Sequence, residues 1–371
     1  MIKKRKKILI GMSGGVDSSV SAALLKKQGF DVFGIFLRLW KTDGENNKSL
    51  EDAKKVAKIL NIELRAVDVR KKFKKEVVGY FLKEYASGRT PNPCVFCNEN
   101  LKFKILFQEA DKIKADYVST GHYARIEKQE ERSKKGENKK NINENFSYRL
   151  FEAEDKNKDQ SYFLYRLKQN QLARIIFPLG EYKKEEVRKL AKKFDLPNFD
   201  KAESQDICFL GNTSVEDFLK KNLRLKAGNI FDFKNKIIGR HFGLPLYTIG
   251  QRKGIKIGGT GPYYVSNKDF AKNKLVVTNT KKDSALFSKS ATLEKVNWID
   301  NEPKMPTKLL VRARYRNPLS YATISKKKEL RSKNKEEYRI VFEKSQRAVT
   351  PGQSIVFYNK KQEVLGGGVI K

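Results

Sequence analysis

A glycine- and serine-rich segment near the start of the chain has the composition of a phosphate-binding loop. It follows the apolar residues 8–10 and consists of Gly11, Met12, Ser13, Gly14, Gly15, Val16, Asp17 and Ser18. Glycines let the backbone approach a phosphate closely, and free N–H groups at the start of a following helix favour the anion. Because a carboxylate would repel phosphate, we interpret Asp17 as a ligand of a bridging Mg²⁺ ion. The alternative is a structural Gly/Ser turn with an Asp cap.

This loop matches neither of the two common nucleotide-binding patterns. No Gly-Lys-Ser/Thr follows it, as a Walker motif requires, and the third glycine of the dinucleotide fingerprint is missing. The loop therefore indicates a phosphate site of another class.

The second group of chemically capable residues is the set of cysteines, Cys94, Cys97 and Cys208. In a reducing compartment, a Cys-x-x-Cys spacing indicates a metal site or catalysis and not a disulfide framework. Pro91 and Pro93 exclude a helix before the first cysteine, and residues 100–107 are typical of a helix. This pattern places Cys97 near a helix N-terminus, where the pKa of its thiol would be lowered.

Alternating strands and helices must position these residues. Short apolar runs predict strands at 8–10, 32–37, 62–67 and 117–120. The helix between the first two strands should end at Gly29, and Ser49 with Asp52 predicts a capping box for the next helix. Such alternation predicts a parallel sheet covered by helices, with ligands at the carboxyl ends of its strands.

The amino-acid composition changes in the rest of the chain. Residues 127–147 are charged and Asn-rich, which predicts a mobile insertion in a hairpin between 123–126 and 148–151. Helices are predicted at 160–172 and 183–194. Residues 213–285, rich in Gly and aromatic residues, predict a small β-rich middle domain, and the short strands of 286–371 predict a β-barrel.

The charge of the chain is strongly positive. It has 79 Lys and Arg against 43 Asp and Glu, a net charge of +36. So basic a protein normally binds a polyanion, either nucleic acid or an anionic membrane surface, although compositional drift would also enrich Lys throughout. No apolar run approaches ~18 residues, and the stretch after the basic N-terminus is too short for a signal peptide. We therefore expect a cytoplasmic protein with no membrane partner.

Several longer motifs resemble one family. SGGVDSS, GRTPNPCVFCN, LKFK, TGHYAR, KDQSYFL, SQDICF, YTIGQRKG and RARYR occur in the order found in tRNA-specific 2-thiouridylases. SGGVDS by itself resembles the pyrophosphate loop of the N-type ATP pyrophosphatases. The resemblance covers essentially the whole chain. It implies an α/β fold: an adenine-nucleotide α-hydrolase-like (Rossmann-like) parallel-sheet domain over 1–212, then the β-rich middle domain and the C-terminal β-barrel.

The resemblance also implies roles for individual residues. The loop from Gly11 to Ser18 would bind ATP, with Leu37 and Gly121 lining the nucleotide site. Cys97 corresponds to the family's nucleophile and Cys208 to its persulfide carrier. The positions expected to contact tRNA are Asn92, Pro93, Cys94, His122, Lys158, Asp159, Gln160, Arg314, Tyr315 and Gln353. A cation beside a stacking ring, as in Arg314-Tyr315, is typical of RNA contacts, although these residues could merely face solvent on a strand.

Cys94 departs from the family pattern, because many members carry Asp at this position. Together with Cys97 and Cys208 it could hold a 4Fe-4S cluster with one iron left open. A zinc site would need His122 or His241 as a fourth ligand. A catalytic disulfide between Cys97 and Cys208, or a small buried residue at Cys94, are the other interpretations.

The function that follows from the resemblance is ATP-dependent thiolation of the wobble uridine of tRNA. The uridine O2 would be adenylated with release of pyrophosphate, and sulfur would then displace AMP. The partners would be tRNA and a sulfur donor, either a cysteine desulfurase or a sulfur-relay protein. The alternatives are another ATP-pyrophosphatase ligase that modifies RNA, for which the cysteines would be unnecessary, and a non-catalytic protein that binds ATP and RNA.

Overall fold

The computed structural model describes residues 5–40, 45–130, 146–202, 207–258, 261–327 and 336–371. Its α-helices are α1 (Val16–Lys27), α2 (Glu45–Ile59), α3 (Arg70–Phe73), α4 (Gly79–Ala86), α5 (Pro93–Cys97), α6 (Phe103–Lys112), α7 (Gln169–Leu172), α8 (Lys184–Lys193) and α9 (Val215–Asn222). Two π-helical turns, Lys74–Val78 and Asn98–Lys102, join α3 to α4 and α5 to α6. Short 3₁₀ turns span Ser161–Phe163, Leu244–Leu246 and Ser284–Leu286.

The strands are β1 (Lys7–Gly11), β2 (Asp31–Arg38), β3 (Glu63–Asp68), β4 (Tyr117–Thr120), β5 (Arg125–Glu130), β6 (Phe146–Phe151), β7 (Ile175–Ile176), β8 (Gly228–Phe231), β9 (Ile237–His241), β10 (Tyr264–Asp269), β11 (Lys274–Thr278), β12 (Phe287–Trp298), β13 (Thr307–Arg312), β14 (Ser320–Lys326), β15 (Tyr338–Arg347), β16 (Ser354–Tyr358) and β17 (Glu363–Ile370).

A parallel sheet forms the first unit, with strand order β3-β2-β1-β4-β7. The central strand β1 pairs in parallel with β2 and β4, and Ile8 and Ile10 on it are fully buried. Helix α1 ends where the sequence predicts, because Gly29 adopts φ +88° just beyond it. The predicted parallel sheet with covering helices is confirmed, and it brings the loop after β1 to the carboxyl edge of the sheet.

Two predicted helical features are wrong. Helix α2 begins at Glu45, so Ser49 lies inside the helix and cannot form the predicted capping box with Asp52. The predicted helix over 160–172 is replaced by one 3₁₀ turn and the short α7. Within it Tyr162 is fully buried, and its hydroxyl donates to the carbonyl of Ser354 at 2.7 Å. Packing against the barrel therefore overrides the local helical pattern.

Two β units follow. The middle unit is a four-stranded sheet with order β10-β11-β8-β9. The last unit is antiparallel, and its strands β12-β15-β14-β13-β16-β17 close into a barrel because β12 also pairs with β17. The predicted β-rich middle region and C-terminal barrel are confirmed as a fold class, and the domain boundaries at 212 and 285 stay predictions. In the described part of the chain, no helix is long and apolar enough to cross a membrane.

The hairpin of β5 and β6 extends the barrel. It arises from the parallel-sheet unit, yet β6 pairs with β17 through Phe151 and Glu363. The predicted insertion at 127–147 falls on this hairpin: residues 127–130 and 146–147 are strand, and 131–145 lie outside the described residues.

Replacing residues 131–145 by Asn-Gly should preserve the fold. Glu130 and Phe146 are direct partners in the ladder, and a two-residue Asn-Gly turn suits such a pair. We expect the free energy of unfolding to change by less than about 1 kcal/mol, measured by denaturant titration. The control Leu150→Ala, at a fully buried hairpin position, should cost about 2–5 kcal/mol. Insoluble protein after the loop replacement would contradict this prediction.

Candidate active site

The glycine-rich loop connects β1 to α1 and is held by its own serines. The Ser18 hydroxyl accepts from the N–H of Ser13 at 3.1 Å and donates to the carbonyl of Gly15 at 3.1 Å. Gly15 is the N-cap of α1, and no side chain caps the helix there. The first N–H groups of α1 therefore have no side-chain cap, and the anion site at this loop stays a prediction.

Two glycines let other segments pack against this loop. Gly14 has φ +74°, and a Cβ there would lie 2.1 Å from the carbonyl oxygen of Ser49. Gly121 follows β4, and its Cβ would lie 2.8 Å from the backbone nitrogen of Ser18. The loop is thus confined between α2 and the turn after β4.

The chain beyond α8 also clamps the loop. The carbonyl of Gly14 accepts from Asn198 Nδ2 and from Lys201 Nζ, both at 3.1 Å. Lys201 in turn forms an ion pair with Asp52 at 2.7 Å. These contacts fix the conformation of the loop before any ligand binds.

Asp17, the predicted Mg²⁺ ligand, has protein partners. Its Oδ1 accepts from Lys184 Nζ at 2.5 Å and from the hydroxyl of Tyr123 at 2.8 Å. This ion pair with Lys184 connects the first turn of α1 to α8. The carboxylate therefore holds a lysine next to the phosphate loop.

The other predicted nucleotide-site residues lie at the end of β1, at the start of α1 and near the end of β2. Met12 is buried and its N–H donates to the carbonyl of Ile35 at 2.8 Å, which continues the β1–β2 ladder. Val16 is the first residue of α1 and is buried. Leu37 is half-buried near the end of β2, on the strand next to the loop.

The cysteine helix begins earlier than the sequence predicts. Asn92 is the N-cap of α5 and accepts from the N–H of Val95 at 3.3 Å, while Pro93 takes the first helical position. Cys97 is therefore the last residue of α5 and not near the N-terminus of a helix that starts at residue 100. The prediction of a lowered thiol pKa is wrong: burial raises the pKa of Cys97 to about 11.

The three cysteines lie together although Cys208 is far from the others in sequence. All three are free thiols. Although part of the surface of Cys208 faces solvent, burial raises the pKa of its thiol to about 12, and the nearby Cys97 and Cys94 also raise it. The pKa of Cys94 is also raised by burial, even though part of its surface faces solvent. We call the surroundings of Cys94, Cys97 and Cys208 the cysteine cleft. Burial there favours the neutral form of the three thiols at pH 7.

Lys102 is a site residue that the sequence analysis missed. It ends the π-helical turn that follows Cys97, and its charge lowers the pKa of Cys94, Cys97 and Cys208 against the stronger effect of burial. A π-helical turn joins residues five apart, so it brings Lys102 round to the side of Cys97. Lys102 belongs to the LKFK motif of the sequence, but its position beside the cysteines follows only from the helix geometry.

His122 lies in the turn after β4, next to the glycine that packs against the glycine loop. Burial lowers the pKa of His122 well below its usual value, and the charge of Lys102 lowers it further. Its Nδ1 lies 2.6 Å from the hydroxyl of Thr120, and its ring stacks on Phe103. The preceding Gly121 packs against the glycine loop, and Lys102, whose charge also acts on the three cysteines, therefore connects this turn electrostatically with the cysteine site.

A metal site finds little support in this arrangement. No group of three His, Cys, Asp or Glu side chains is placed to hold a metal ion within the described ranges. His241, one candidate for a fourth zinc ligand, lies in the middle unit: its Nε2 is 3.1 Å from the carbonyl of Asn273, and its Nδ1 accepts from the N–H of Gly243.

The segment before the cysteines is bound by the barrel. The N–H of Thr90 donates to the carbonyl of Pro351 at 2.8 Å. The side-chain amide of Gln353 donates to the carbonyls of Thr90 and Pro91 at 2.8 and 3.2 Å. Gln353, a predicted tRNA contact, therefore positions the start of the cysteine helix in this structure.

The same segment also binds the other two units. The hydroxyls of Thr90 and Thr248 are 3.1 Å apart, which joins it to the middle unit. Arg89 forms ion pairs with Glu84 of α4 at 2.8 Å and with Glu294 of the barrel at 2.6 Å. We call residues 89–91 the junction segment.

The predicted tRNA contacts at 158–160 are mostly engaged within the protein. Asp159 is 3% exposed and accepts from the N–H of Ala153 and from Ser161. The side-chain oxygen of Gln160 accepts from the N–H of Tyr123 at 3.1 Å. Lys158 is half-buried beside them.

The predicted pair Arg314-Tyr315 divides between surface and interior. The Tyr315 hydroxyl donates to the carbonyl of Asp159 at 3.0 Å, and its ring lies 4.5 Å from that of Phe163. Arg314 is exposed next to it. Tyr315 thus holds the 158–160 turn while Arg314 faces solvent.

Comparison with known proteins agrees with this architecture. The family described as tRNA methyl transferase HUP domain matches residues 6–212, its PRC-barrel domain 216–279, and the aminomethyltransferase beta-barrel domain 288–370. A tRNA-specific 2-thiouridylase from Coxiella burnetii is 41% identical over 98% of this chain and 97% of its own length. The chain belongs to the tRNA-specific 2-thiouridylase family.

Other members match as fully. The 2-thiouridylase of Buchnera aphidicola subsp. Schizaphis graminum is 41% identical over 100% of this chain and 98% of its own length. Among solved structures, the NMN synthetase of Francisella tularensis overlaps 58% of this chain and 72% of its own, with 19% identity and a TM-score of 0.32, and adds nothing to the family assignment.

Gly14→Ala should damage the phosphate loop, whereas Gly15→Ala should not. A left-handed non-glycine residue costs about 1–3 kcal/mol, and the new Cβ at position 14 would also overlap the Ser49 carbonyl. At Gly15, φ is −92° and the nearest atom to a Cβ is 3.5 Å away, so we expect a loss of at most about 1 kcal/mol. Thermal unfolding measures the stability of both variants, and titration with ATP measures their affinity for the nucleotide. Equal losses in the two variants would contradict the assignment.

The reactivity of Cys208 should depend on pH and on Lys102. Only the thiolate is alkylated, so with a pKa of about 12 the iodoacetamide rate should rise about tenfold per pH unit from pH 7 to 10. Lys102→Met should slow alkylation, because it removes the charge that lowers the thiol pKa. Lys104→Met, at an exposed position on α6, is the control. Peptide mass spectrometry gives the rates, and a plateau near pH 8.5 would refute the raised pKa.

Proposed function

We propose that this protein is a tRNA sulfurtransferase that uses ATP to replace O2 of the wobble uridine by sulfur. The observation that carries the proposal is the turn Gly121-His122: Gly121 packs against the glycine loop, and the charge of Lys102, which acts on the three cysteines, also acts on His122. A base placed at this turn could meet both ATP and sulfur. The relatives are tRNA-specific 2-thiouridylases, a name that gives tRNA as their substrate and 2-thiouridine as their product.

The activation step belongs to the glycine loop. The uridine O2 attacks the α-phosphate of ATP, and pyrophosphate leaves. The uncapped N–H groups at the start of α1, together with the Ser13 and Ser18 hydroxyls, would stabilise the departing pyrophosphate. Lys184, held by Asp17, adds a positive charge beside the loop. The adenylated oxygen then becomes a good leaving group.

The sulfur step belongs to Cys97 and Cys208. A donor protein, either a cysteine desulfurase or a sulfur-relay protein, would load a persulfide onto the exposed Cys208. Its terminal sulfur attacks C2 of the uridine and AMP leaves. Cys97 then attacks the Cys208 sulfur, which forms a disulfide between the two residues and releases the thiolated base. Alternatively, Cys97 first attacks the inner sulfur of the Cys208 persulfide, which forms the same disulfide and expels hydrosulfide. The hydrosulfide then attacks C2 and AMP leaves. A thiol reductant would reopen the disulfide for the next cycle.

Neither metal group fits the residues well. A Mg²⁺ ion bound with ATP would neutralise phosphate charge, but Lys184 and Tyr123 already occupy one carboxylate oxygen of Asp17. The 4Fe-4S hypothesis draws on three thiols that are not arranged as a metal-binding set in the described part of the chain. The proposed steps therefore use protein side chains and ATP.

Substitution of single cysteines tests the proposal. We expect Cys208→Ser and Cys97→Ser to abolish 2-thiouridine formation while tRNA binding survives, and Cys94→Ala to retain substantial activity. The assay combines unmodified tRNA, ATP, Mg²⁺ and a persulfide donor under anaerobic conditions, with nucleosides and adenine nucleotides separated by chromatography.

The products distinguish the alternatives. AMP and pyrophosphate should accumulate, and ADP as the main product would contradict the assignment of the loop. Loss of both iron and thiolation in Cys94→Ala would favour the cluster over the persulfide relay. Full thiolation by Cys208→Ser would contradict the role proposed for Cys208. A wild-type protein that binds ATP and tRNA but forms no 2-thiouridine would favour the non-catalytic alternative.

A further inference from the structure

A cavity of about 580 Å³ lies away from the cysteine cleft, between the middle sheet and the barrel. Its lining comes from the loop before β10, the chain after β11, and the barrel strands β12 and β15. The lining residues are Gly250, Arg252, Tyr264, Lys281, Lys282, Phe287 and Arg347. Four of them are cationic and none is acidic, so the cavity is suited to an anion.

The cations of this cavity have no acidic partners in the described part of the chain. Within the residues that the structure describes, no carboxylate lies in ion-pair distance of Arg252, Lys281, Lys282 or Arg347. The adjacent Asp283 is engaged elsewhere, since its carboxylate accepts from the Thr278 hydroxyl at 2.6 Å and from the N–H of Ala285 at 2.8 Å. The positive charge of the cavity is therefore available to a ligand from solution.

Aromatic rings form the other part of the lining. The guanidinium of Arg347 lies over the ring of Tyr264, 5.4 Å from its centroid, and this contact orients it. The ring of Phe287 is 38% exposed at the rim. A combination of cations with an accessible ring is typical of surfaces that bind nucleic acid.

The cavity exists because two units approach each other closely. Gly250 has φ +81°, and a Cβ there would lie 2.6 Å from the Cβ of Ala348. The N–H of Gly250 donates to the carbonyl of Val265 at 2.7 Å, and the N–H of Ala348 donates to that of Leu286 at 2.8 Å. The walls are thus fixed by backbone contacts on both sides.

The loop that lines this cavity also contacts the junction segment. Thr248, two residues before Gly250, bonds to Thr90, and Arg252 follows on the same loop. This loop is the YTIGQRKG motif, to which the proposed chemistry gives no role. A ligand in the cavity would therefore lie on the loop that holds the start of the cysteine helix.

We propose that this cavity binds the phosphodiester backbone of the tRNA substrate and anchors it while the wobble uridine occupies the cysteine cleft. The inference rests on the proposed function for the identity of the RNA. Arg252, Lys281 and Lys282 pair with phosphate oxygens, and Arg347 holds the inner wall. Free nucleotide is the competing ligand that the experiment separates.

The test compares matched charge removals. Arg252→Gln is paired with Lys253→Gln, an exposed neighbour outside the cavity, and Lys281→Gln/Lys282→Gln is paired with Lys360→Gln/Lys361→Gln on a barrel turn. Binding of unmodified tRNA is measured by fluorescence anisotropy across salt concentrations, and ATP binding is measured alongside. Each lost phosphate contact should reduce the slope of log K against log salt by about 0.7–0.9. Both cavity variants should lose affinity at low salt, and both controls should keep it.

The outcomes separate this inference from the proposed function. Equal affinity and slope in cavity and control variants would overturn the cavity assignment, even if the wild-type protein thiolates tRNA. Loss of ATP binding with unchanged tRNA binding would also overturn it, in favour of a nucleotide site. If the cavity variants bind tRNA more weakly and with less salt dependence, but the wild-type protein does not thiolate tRNA, the cavity assignment stands and the sulfurtransferase proposal is contradicted. Thermal unfolding of each variant shows that the fold is retained.

Discussion

The arrangement of the three units depends on the junction segment, residues 89–91. Arg89 forms ion pairs with Glu84 and Glu294, and these charge-assisted bonds are each worth about 1.5–3 kcal/mol. Thr90 bonds to the barrel through its backbone and to the middle sheet through its hydroxyl. The cysteine helix begins directly after this segment. The positions of Cys94 and Cys97 are therefore set by contacts with all three units together.

Close backbone approach supports the same junction. Gly88 and Gly352 both have positive φ, and a Cβ on Gly352 would lie 2.9 Å from the carbonyl oxygen of Thr90. Lys268 reaches the carbonyl of Gly88 at 2.8 Å from the middle sheet. Burial lowers the pKa of Lys268 to about 8. Because the ammonium group loses its charge as pH rises through that value, its hydrogen bond to Gly88 should weaken. The barrel and middle sheet thus act on the chemistry indirectly, by holding one short piece of chain.

The electrostatics of the cleft follow from this packing. Cys97 packs into a core shared by the helices around it and the middle unit, and Cys208 keeps part of its surface in solvent. Burial favours the neutral thiol of both residues, while Lys102 favours the thiolate. Since a neutral thiol is a poor nucleophile, the resting site is chemically quiet. In the proposed reaction, sulfur arrives as a persulfide on the exposed Cys208, and Cys97 is buried behind it. This order of exposure matches the order of the proposed steps.

Apolar patterning and glycine placement were enough to predict the three units and the glycine-rich loop. Apolar periodicity predicted the parallel sheet and the barrel strands, because burial of one face imposes a period on the chain. Glycines between a strand and a helix predicted the phosphate loop, because only a few residue types permit that backbone. Failures came where distant packing outweighed local preference, as in the absent helix over 160–172, whose Tyr162 is buried against the barrel.

The contacts of the predicted residues depend on which segments meet in the folded chain. It paired Asp17 with Lys184, turned Gln353 towards the junction segment, and raised the pKa of Cys97. It also joined cations from two units into one cavity. None of these could be predicted from the sequence, because each depends on which segments meet across long separations. Residue type and spacing fix what a side chain can do, whereas its partners and its burial fix what it does.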